Sequence, residues 1–597
     1  MKNDNRRRMT TNHKNQGSFV LKGIAASPGI AISKVFLLRG EAVKIDTTQV
    51  ESSELEAEVQ KFNNAIQKAK NELRALQNRV AQRIGQESAK IFDVHQLLLE
   101  DSIIIEETLD AIKKENKSAG HAFYDTMQKY QNTLDESSVE YFQGRISDLK
   151  DVKRRVIRHI QGDRTDYLSK LEGSAVIVAR DLTPSDTVML DKRKVLGFAT
   201  DLGGRFSHVA IMARSMEVPA VAGLRRLSSL VQEGDRLIID GNAGKVIIHP
   251  DEKTLTQYRR LQEKYYEVEQ RLSIIRDLPC ITLDGKEIEL SANLEFSDEV
   301  ESAKSHGANG IGLYRSDYIY LAKKDLPTEE EQFEEYSKIV KEFPNDPVII
   351  RTMDLGGDKH PQSILIPPEE NPFLGWRAVR ISLEREDIFN VQLRAILRAS
   401  VFGNVKILIP MISSLQEILE CKTALEKAKS ELREEDIPFN PDIDVGVMIE
   451  VPSAALLADK IAREVDFLSI GTNDLVQYLL AVDRGNERIA YLYKHLHPAV
   501  LRMIKDIIIA GHQQGVWVGM CGEMASDPLA TLILVGLDLD EFSVSPFYLP
   551  EIKKIIRSVD HSEAERIAER VLEFETACEV EKFMTRIMRK NFKDLII

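Results

Sequence analysis

The sequence predicts a multidomain α/β protein: an α/β unit with an inserted helical subdomain, a linker helix, then a C-terminal (β/α)8 barrel. Three observations carry this reading. From residue 280 onward, eight short apolar runs alternate with helical stretches, the count and roughly 300-residue size of such a barrel. Leu55, Val59, Phe62, Ile66, Ala69, Leu73, Leu76 and Val80 step by four and three, the period of an amphipathic bundle helix. Strand-like runs lie on both sides of that helical stretch, so the helices read as an insertion.

The elements follow in order. Residues 1–17 are polar, with Arg6, Arg7 and Arg8 clustered and no apolar stretch behind them; they read as a disordered tail, not a secretory signal. Residues 18–38 are β-like, with a turn at Ser27-Pro28-Gly29. Helical composition fills 51–160, with Ser52 or Ser53 as cap and breaks expected near Gly120 and Gly144. This stretch holds no cluster resembling a catalytic site, which leaves it scaffold or docking roles. Strands resume at 175–178, 195–199, 237–239 and 246–248, so 18–50 and 161–250 form one α/β unit around the insertion. Residues 251–279 are highly charged with helical spacing and read as a linker helix. The barrel takes 280–597, with strands at 288–292, 310–314, 348–350, 405–409, 445–449, 467–470, 516–519 and 541–544.

Composition narrows the function classes. The chain has 597 residues, a prior of about four folding units. Hydrophobic residues at 43% and charged residues at 29% fit a soluble globular chain and exclude wholesale disorder. The net charge of −14 argues against non-specific nucleic-acid binding, yet leaves room for local basic pockets. Apolar runs fall far short of the ~20 residues a membrane helix needs. Cys280, Cys421, Cys521 and Cys578 are too widely spaced for a disulfide framework or a zinc site, and a reduced, cytoplasmic setting is expected.

The chemistry-bearing residues fall just after barrel strands: Asn293, Arg315, Arg351, Glu450, Asn473, Asp474 and Cys521. In such a barrel the C-terminal strand ends share one face, so distant residues converge. Glu450 and Asp474 suit Mg²⁺, a hard cation that takes carboxylate and phosphate oxygens. Arg315, Arg351 and Arg484 offer planar forks for phosphate or carboxylate, and Asn473 an amide donor. Cys521 sits in Gly519-Met520-Cys521-Gly522, where a small apolar filler, a proton donor and a nucleophile all remain open. Separately, Gly203-Gly204-Arg205-Phe206-Ser207 leads into His208 and a run that can be helical. A helix N-terminus favours a phosphate there, and a neutral imidazole is a competent nucleophile toward phosphorus. Thr183 is placed to orient the ring by a hydrogen bond.

Longer strings then take on meaning together: GGRFSHVAIMAR around His208, RTMDLGGDK from Arg351, NPFLGWRAVR from Asn371, DFLSIGTNDLVQYLLAVDRGN from Asp466 and GMCGEMASDP from Gly519. From about residue 19 to the end, the sequence resembles the enzyme I family of the bacterial sugar phosphotransferase system, the phosphoenolpyruvate–protein phosphotransferases. The resemblance implies that His208, on a swivelling phosphohistidine domain, is phosphorylated on Nε2 by phosphoenolpyruvate. It further implies that Arg315, Arg351, Asn473, Asp474 and Arg484 bind substrate, that Glu450 and Asp474 bind Mg²⁺, and that Cys521 protonates the enolate to release pyruvate. The helical subdomain would dock the phosphocarrier HPr, and the barrel would form a homodimer. Phe206 and Val209 stand where the family usually has Thr and a small residue, and Arg315-Ser316-Asp317-Tyr318 replaces the commoner Arg-Thr-Glu-Phe; none of these departures removes a catalytic group. The related phosphoenolpyruvate synthases and dikinases need an ATP-binding domain, and a nitrogen-branch paralogue usually carries a sensory domain before the shared region. The short N-terminal stretch is expected to exclude both architectures.

Overall fold

In a computed structural model, residues 18–38, 49–51, 53–83, 91–135, 140–162, 171, 173–182, 194–203, 209–210, 213, 216, 218–321, 325–357, 359, 361, 363–367, 369–484, 486, 488–592 and 595 are described. The N-terminal tail, Thr183, Phe206 and His208 lie outside this set. The chain divides into two compact units, residues 1–266 and 267–597.

The first unit contains an eight-stranded mixed sheet: β1 (Phe19–Lys22), β2 (Ile24–Ser27), β3 (Ile30–Leu38), β4 (Ala175–Ala179), β5 (Val195–Thr200), β6 (Ala220–Ala222), β7 (Arg236–Asp240) and β8 (Lys245–Ile248). Their order is β1-β8-β7-β3-β4-β5-β6-β2. β3 and β4 are parallel neighbours, from Val35 opposite Val176 to Leu38 opposite Ala179. The chain leaves the sheet after β3, builds five helices among the described residues, and re-enters beside the strand it left. All five residues of β4 are buried, as a central parallel strand covered on both faces requires. Beyond the sheet, Val209, Ala210 and Ala213 are helical and buried.

The inserted helices are Leu55–Arg83, Ile91–Glu100, Ser102–Glu115, Ala119–Asp135 and Glu140–Gln161. Phe62, Ile66, Ala69, Leu73 and Leu76 pack into one core with Phe92, Phe123 and Ile157, following the four-and-three spacing. A break falls near Gly120 as expected, between the helix that ends at Glu115 and the one that begins at Ala119, whereas Gly144 itself lies inside a helix. The chain turns at Asn116, which adopts φ 52°, and breaks also at Asp101, whose carboxylate accepts from the N–H groups of Ile103 (2.9 Å) and Ile104 (3.3 Å). A short acceptor side chain satisfies orphan helix-end donors, and Asn tolerates the left-handed region; an interior glycine merely costs helix stability.

A helix over Glu252–Ile275 matches the predicted linker. Its N-terminal half is fixed to the sheet of its own unit. Leu255 is buried with Ile30, Ile238 and Ile247, Tyr258 donates to Asp240 (3.1 Å), and Gln262 donates to the Ile30 carbonyl (2.9 Å).

The second unit is a closed barrel of eight parallel strands: β9 (Glu289–Leu294), β10 (Ile311–Arg315), β11 (Pro347–Arg351), β12 (Asn404–Ile409), β13 (Asp444–Ile449), β14 (Phe467–Ile470), β15 (Trp517–Met520) and β16 (Glu541–Val544). β16 closes on β9, Glu541 opposite Glu289 and Val544 opposite Ala292. Each strand falls within two residues of its predicted position. One buried cluster gathers Leu313, Ile349, Leu408, Met448, Phe467 and Cys521, with Trp517 against it. A much larger apolar cluster joins the strands to their flanking helices.

Candidate active site

The strand ends deliver the polar residues. Arg315 ends β10 and Arg351 ends β11; Glu450 follows β13; Asn473 and Asp474 open the helix Thr472–Leu480 after β14; Cys521 follows β15. Four barrel strands thus supply Arg351, Glu450, Asp474 and Cys521 to one connected electrostatic group, in which each affects the ionisation of another.

The centre of this group is a buried ion network. Arg351, 5% exposed, pairs with Asp317 (2.5 Å) and Asp354 (3.2 Å). Lys359 reaches Asp317 (2.6 Å) and Asp354 (3.5 Å), and the Asp354 N–H donates to Asp317 (2.8 Å). Arg377, 3% exposed, forks both ways. Its Nε and Nη2 donate to Asp354 (2.8 and 3.0 Å), and its Nη1 and Nη2 donate to Asp474 (3.3 and 3.0 Å). Tyr478 lies beside Arg377 Nη1 (3.3 Å) and donates to the Phe373 carbonyl. Burial opposes ionisation of Asp317 and Asp354, yet the surrounding cations overrule it. Arg351 and Lys359 hold Asp317 below the usual carboxylate range, and Arg377, Lys359 and Arg351 hold Asp354 well below it.

Glu450 goes the other way. Burial, then the carboxylates of Asp474 and Asp354, push it up to about 8. Its Oε1 accepts from the Met411 N–H (2.7 Å). Lys359, Arg351 and Arg377 face Asp317, Asp354, Asp474 and Glu450, so the network holds one carboxylate more than it has cations. Among the described residues, no group of three or more His, Cys, Asp or Glu side chains is gathered to hold a metal. Mg²⁺ characteristically uses one or two carboxylates and completes its shell with water and substrate phosphate. Glu450 and Asp474 fit that ion: two hard oxygen donors, the second close enough to disfavour charge on the first.

Cys521 is 3% exposed and forms part of the barrel-interior cluster. Ser469 donates to its Sγ (3.3 Å), and its carbonyl accepts from Asn293 (3.0 Å), which in turn accepts from Ser543 (2.6 Å). Burial pushes the thiol up to about 11, against the pull of the Ser469 hydroxyl. Near neutral pH it therefore carries its proton, which suits an acid and not a thiolate nucleophile. Asn473 spends its side-chain carbonyl on the Glu523 N–H (2.8 Å), leaving the amide hydrogens as donors, and its backbone carbonyl accepts from Tyr493 (3.0 Å). Arg484 interacts with Tyr493. Arg315 stands apart from the network and pairs with Glu295 (2.7 Å).

Reading the sequence alone assigned no role to Asp317, Asp354, Lys359 or Arg377. Asp317 directly follows the Arg315-Ser316 strand end, and the other three lie inside the RTMDLGGDK and NPFLGWRAVR strings. The signal was therefore present as charged residues packed just behind strand ends.

Three family models match the chain in order: PEP-utilising enzyme, N-terminal, over 22–145; PEP-utilising enzyme, mobile domain, over 171–244; and PEP-utilising enzyme, PEP-binding domain, over 269–561. The phosphoenolpyruvate-protein phosphotransferase of Haemophilus influenzae is 44% identical over 572 residues, covering 96% of this chain and 100% of the relative. The chain belongs to the phosphoenolpyruvate-protein phosphotransferase family. The Staphylococcus carnosus member is 43% identical over 560 residues, covering 94% of this chain and 97% of its own. An NMR structure of an Enzyme I protein, 43% identical, covers 41% of this chain and 99% of its own with a TM-score of 0.36.

Proposed function

We propose that this family member moves the phosphoryl group of phosphoenolpyruvate first to its own His208 and then to the histidine of HPr or an HPr-like phosphocarrier, releasing pyruvate. The observation that carries the reading is the joining of Arg351, Glu450, Asp474 and Cys521 at the barrel strand ends: a cationic anchor, two carboxylates and a protonated thiol in one network. The His208 Nε2 lone pair attacks phosphorus, and the bond from phosphorus to the enol oxygen breaks. The released electrons make an enolate. The enolate carbon takes the Cys521 proton to become the pyruvate methyl, and the thiolate regains a proton from water. Arg315, Arg351, Asn473 and Arg484 hold the substrate's phosphate and carboxylate, orienting the leaving oxygen away from the attacking nitrogen. Mg²⁺, held by Glu450 and Asp474, supplies charge neutralisation at the phosphoryl oxygens when bound. Asp317, Asp354 and Arg377 keep Arg351 and Asp474 in place.

The domain roles follow. Residues 18–50 and 161–250 carry the phosphohistidine and swivel; 51–160 dock the phosphocarrier; 251–279 link; 280–597 bind phosphoenolpyruvate and dimerise. Exposed apolar side chains on the barrel unit, Leu456 and Tyr491 among them, supply area for a homodimer interface. The reaction belongs in the cytoplasm, where phosphoenolpyruvate is made. The test is labelling with ³²P-phosphoenolpyruvate. Wild type takes up label and passes it to purified HPr, and His208→Ala takes up none. A labelled His208→Ala protein overturns the assignment.

A further inference from the structure

We propose that Ser316 and Gln392 are positioning residues for Arg351, forming a buried relay that fixes the backbone after β11 from behind and thereby aims the guanidinium. The inference rests on the reading of Arg351 as a substrate ligand. Ser316 donates to the Arg351 carbonyl (2.7 Å). Gln392, on the helix Glu386–Ala399, donates one amide hydrogen to Ser316 Oγ (3.0 Å) and the other to Tyr336 (3.1 Å). Its side-chain carbonyl accepts from the Met353 N–H (2.9 Å). Tyr336 passes its own proton to Gln332 (3.0 Å).

These donors and acceptors are mutually consistent. Ser316 accepts from Gln392 and donates to the Arg351 carbonyl, Tyr336 accepts from Gln392, donates to Gln332 and also interacts with the Ser316 hydroxyl, and each Gln392 amide hydrogen has its own acceptor, which fixes the orientation of the amide. Ser316, Gln392, Tyr336 and Gln332 are all fully buried, so water offers no substitute partner. The relay grips the Arg351 carbonyl and the Met353 N–H, the two sides of Thr352, while touching no side chain of the ion network. The adjoining Asp317 holds the Arg351 guanidinium and the Asp354 N–H. The strand ends at 315–317 and 351–354 are thus fastened to one another twice, once through backbone and once through charge. Placement at this level decides function, because a site needs its supporting shell to hold an anchor within a fraction of an ångström.

The test uses the full-length protein and pyruvate formation at varied phosphoenolpyruvate, with Ser316→Ala, Gln392→Met and Tyr336→Phe compared. Ser316→Ala and Tyr336→Phe each delete one hydroxyl from the same network, but only the first deletes a hydrogen bond to the Arg351 backbone itself. Ser316→Ala, which removes the one hydrogen bond to the Arg351 carbonyl, and Gln392→Met, which removes the bonds to Ser316, Tyr336 and the Met353 N–H, are each expected to raise KM about tenfold or more, with kcat within about twofold. Combining them is expected to add less than about twofold to Gln392→Met alone, because both cut one path. Tyr336→Phe is expected to lose comparable thermal stability with KM unchanged. If KM stays put in Ser316→Ala, or rises equally in Tyr336→Phe, the relay is merely structural and the proposal falls. Ser316→Ala removes a single oxygen and carries the test even if Gln392→Met does not fold. A wild-type protein that makes no pyruvate overturns the functional reading instead.

Discussion

Replacing Arg377 with Met removes the one guanidinium that joins Asp354 to Asp474. Five hydrogen bonds of 2.8–3.3 Å are lost, two to each carboxylate and one to the Tyr478 hydroxyl. Asp354 keeps Arg351 at 3.2 Å and Lys359 at 3.5 Å, whereas Asp474 loses its ion-pair partner and remains buried. Breaking a buried pair by deleting one member costs ~3–5 kcal/mol, and the buried Asp474, left without its cation, brings this case into that range. The chain's two tryptophans, Trp376 and Trp517, both lie in the barrel unit, so urea unfolding followed by tryptophan fluorescence reports that unit alone. The expected result is a loss of about 3–5 kcal/mol at pH 8, partly restored by millimolar Mg²⁺, which would neutralise Asp474 and Glu450 in place of the missing cation. A loss below about 1 kcal/mol, or one indifferent to Mg²⁺, would refute the view that the network is a metal and phosphate cradle.

Further outcomes are expected. Cys521→Ala should slow pyruvate formation by about a hundredfold or more while phosphoenolpyruvate binding shifts only slightly, since a general acid acts in the transition state; unchanged turnover would make the thiol structural. Glu541, at the start of β16, is buried and pushed up to about 8 by burial, with carboxylate oxygens set where Cβ atoms at Gly312 and Gly519 would stand. The folded state therefore holds a proton that the unfolded chain releases near pH 4.5, so this residue's contribution to stability is full at low pH and is lost as pH rises through about 8. Glu541→Gln should accordingly match wild type near pH 4 and exceed it at pH 9, and parallel urea midpoints across that range would contradict the assignment. EDTA should stop autophosphorylation and Mg²⁺ restore it, whereas chelator-insensitive labelling would remove Glu450 and Asp474 from the metal role.

The barrel was readable because its strands are buried on both faces and therefore written as apolar runs, and 467–470 and 541–544 coincide with the observed strands. The helical stretch was readable from Leu55 to Leu76 for the converse reason, a single buried stripe. Of its internal breaks, the one near Gly120 was legible and the one at Asp101 was not, since it depends on a carboxylate capping the next helix locally. The residues at strand ends pointed to the site, yet the pairing of Arg377 with both Asp354 and Asp474 is a long-range fact. No spacing rule links a residue after one strand to a residue after a strand nearly a hundred positions on. Arg315 illustrates the limit from the other side: a strand-end position predicted its place but not that Glu295 would occupy it.

Closure of the barrel also sets a clock. β9 cannot find its second neighbour until β16 exists, because Glu289 pairs with Glu541. At roughly 5–20 residues per second, the ribosome takes roughly 12–50 s to make the chain between them. Through that interval, β9 and whichever barrel strand was made last each keep an open edge in a crowded cell, while the sheet of the first unit already has all of its strands. Birth of the catalytic centre is thus a late event of synthesis, and nascent chains stalled between β9 and β16 are where chaperone demand for this protein should concentrate.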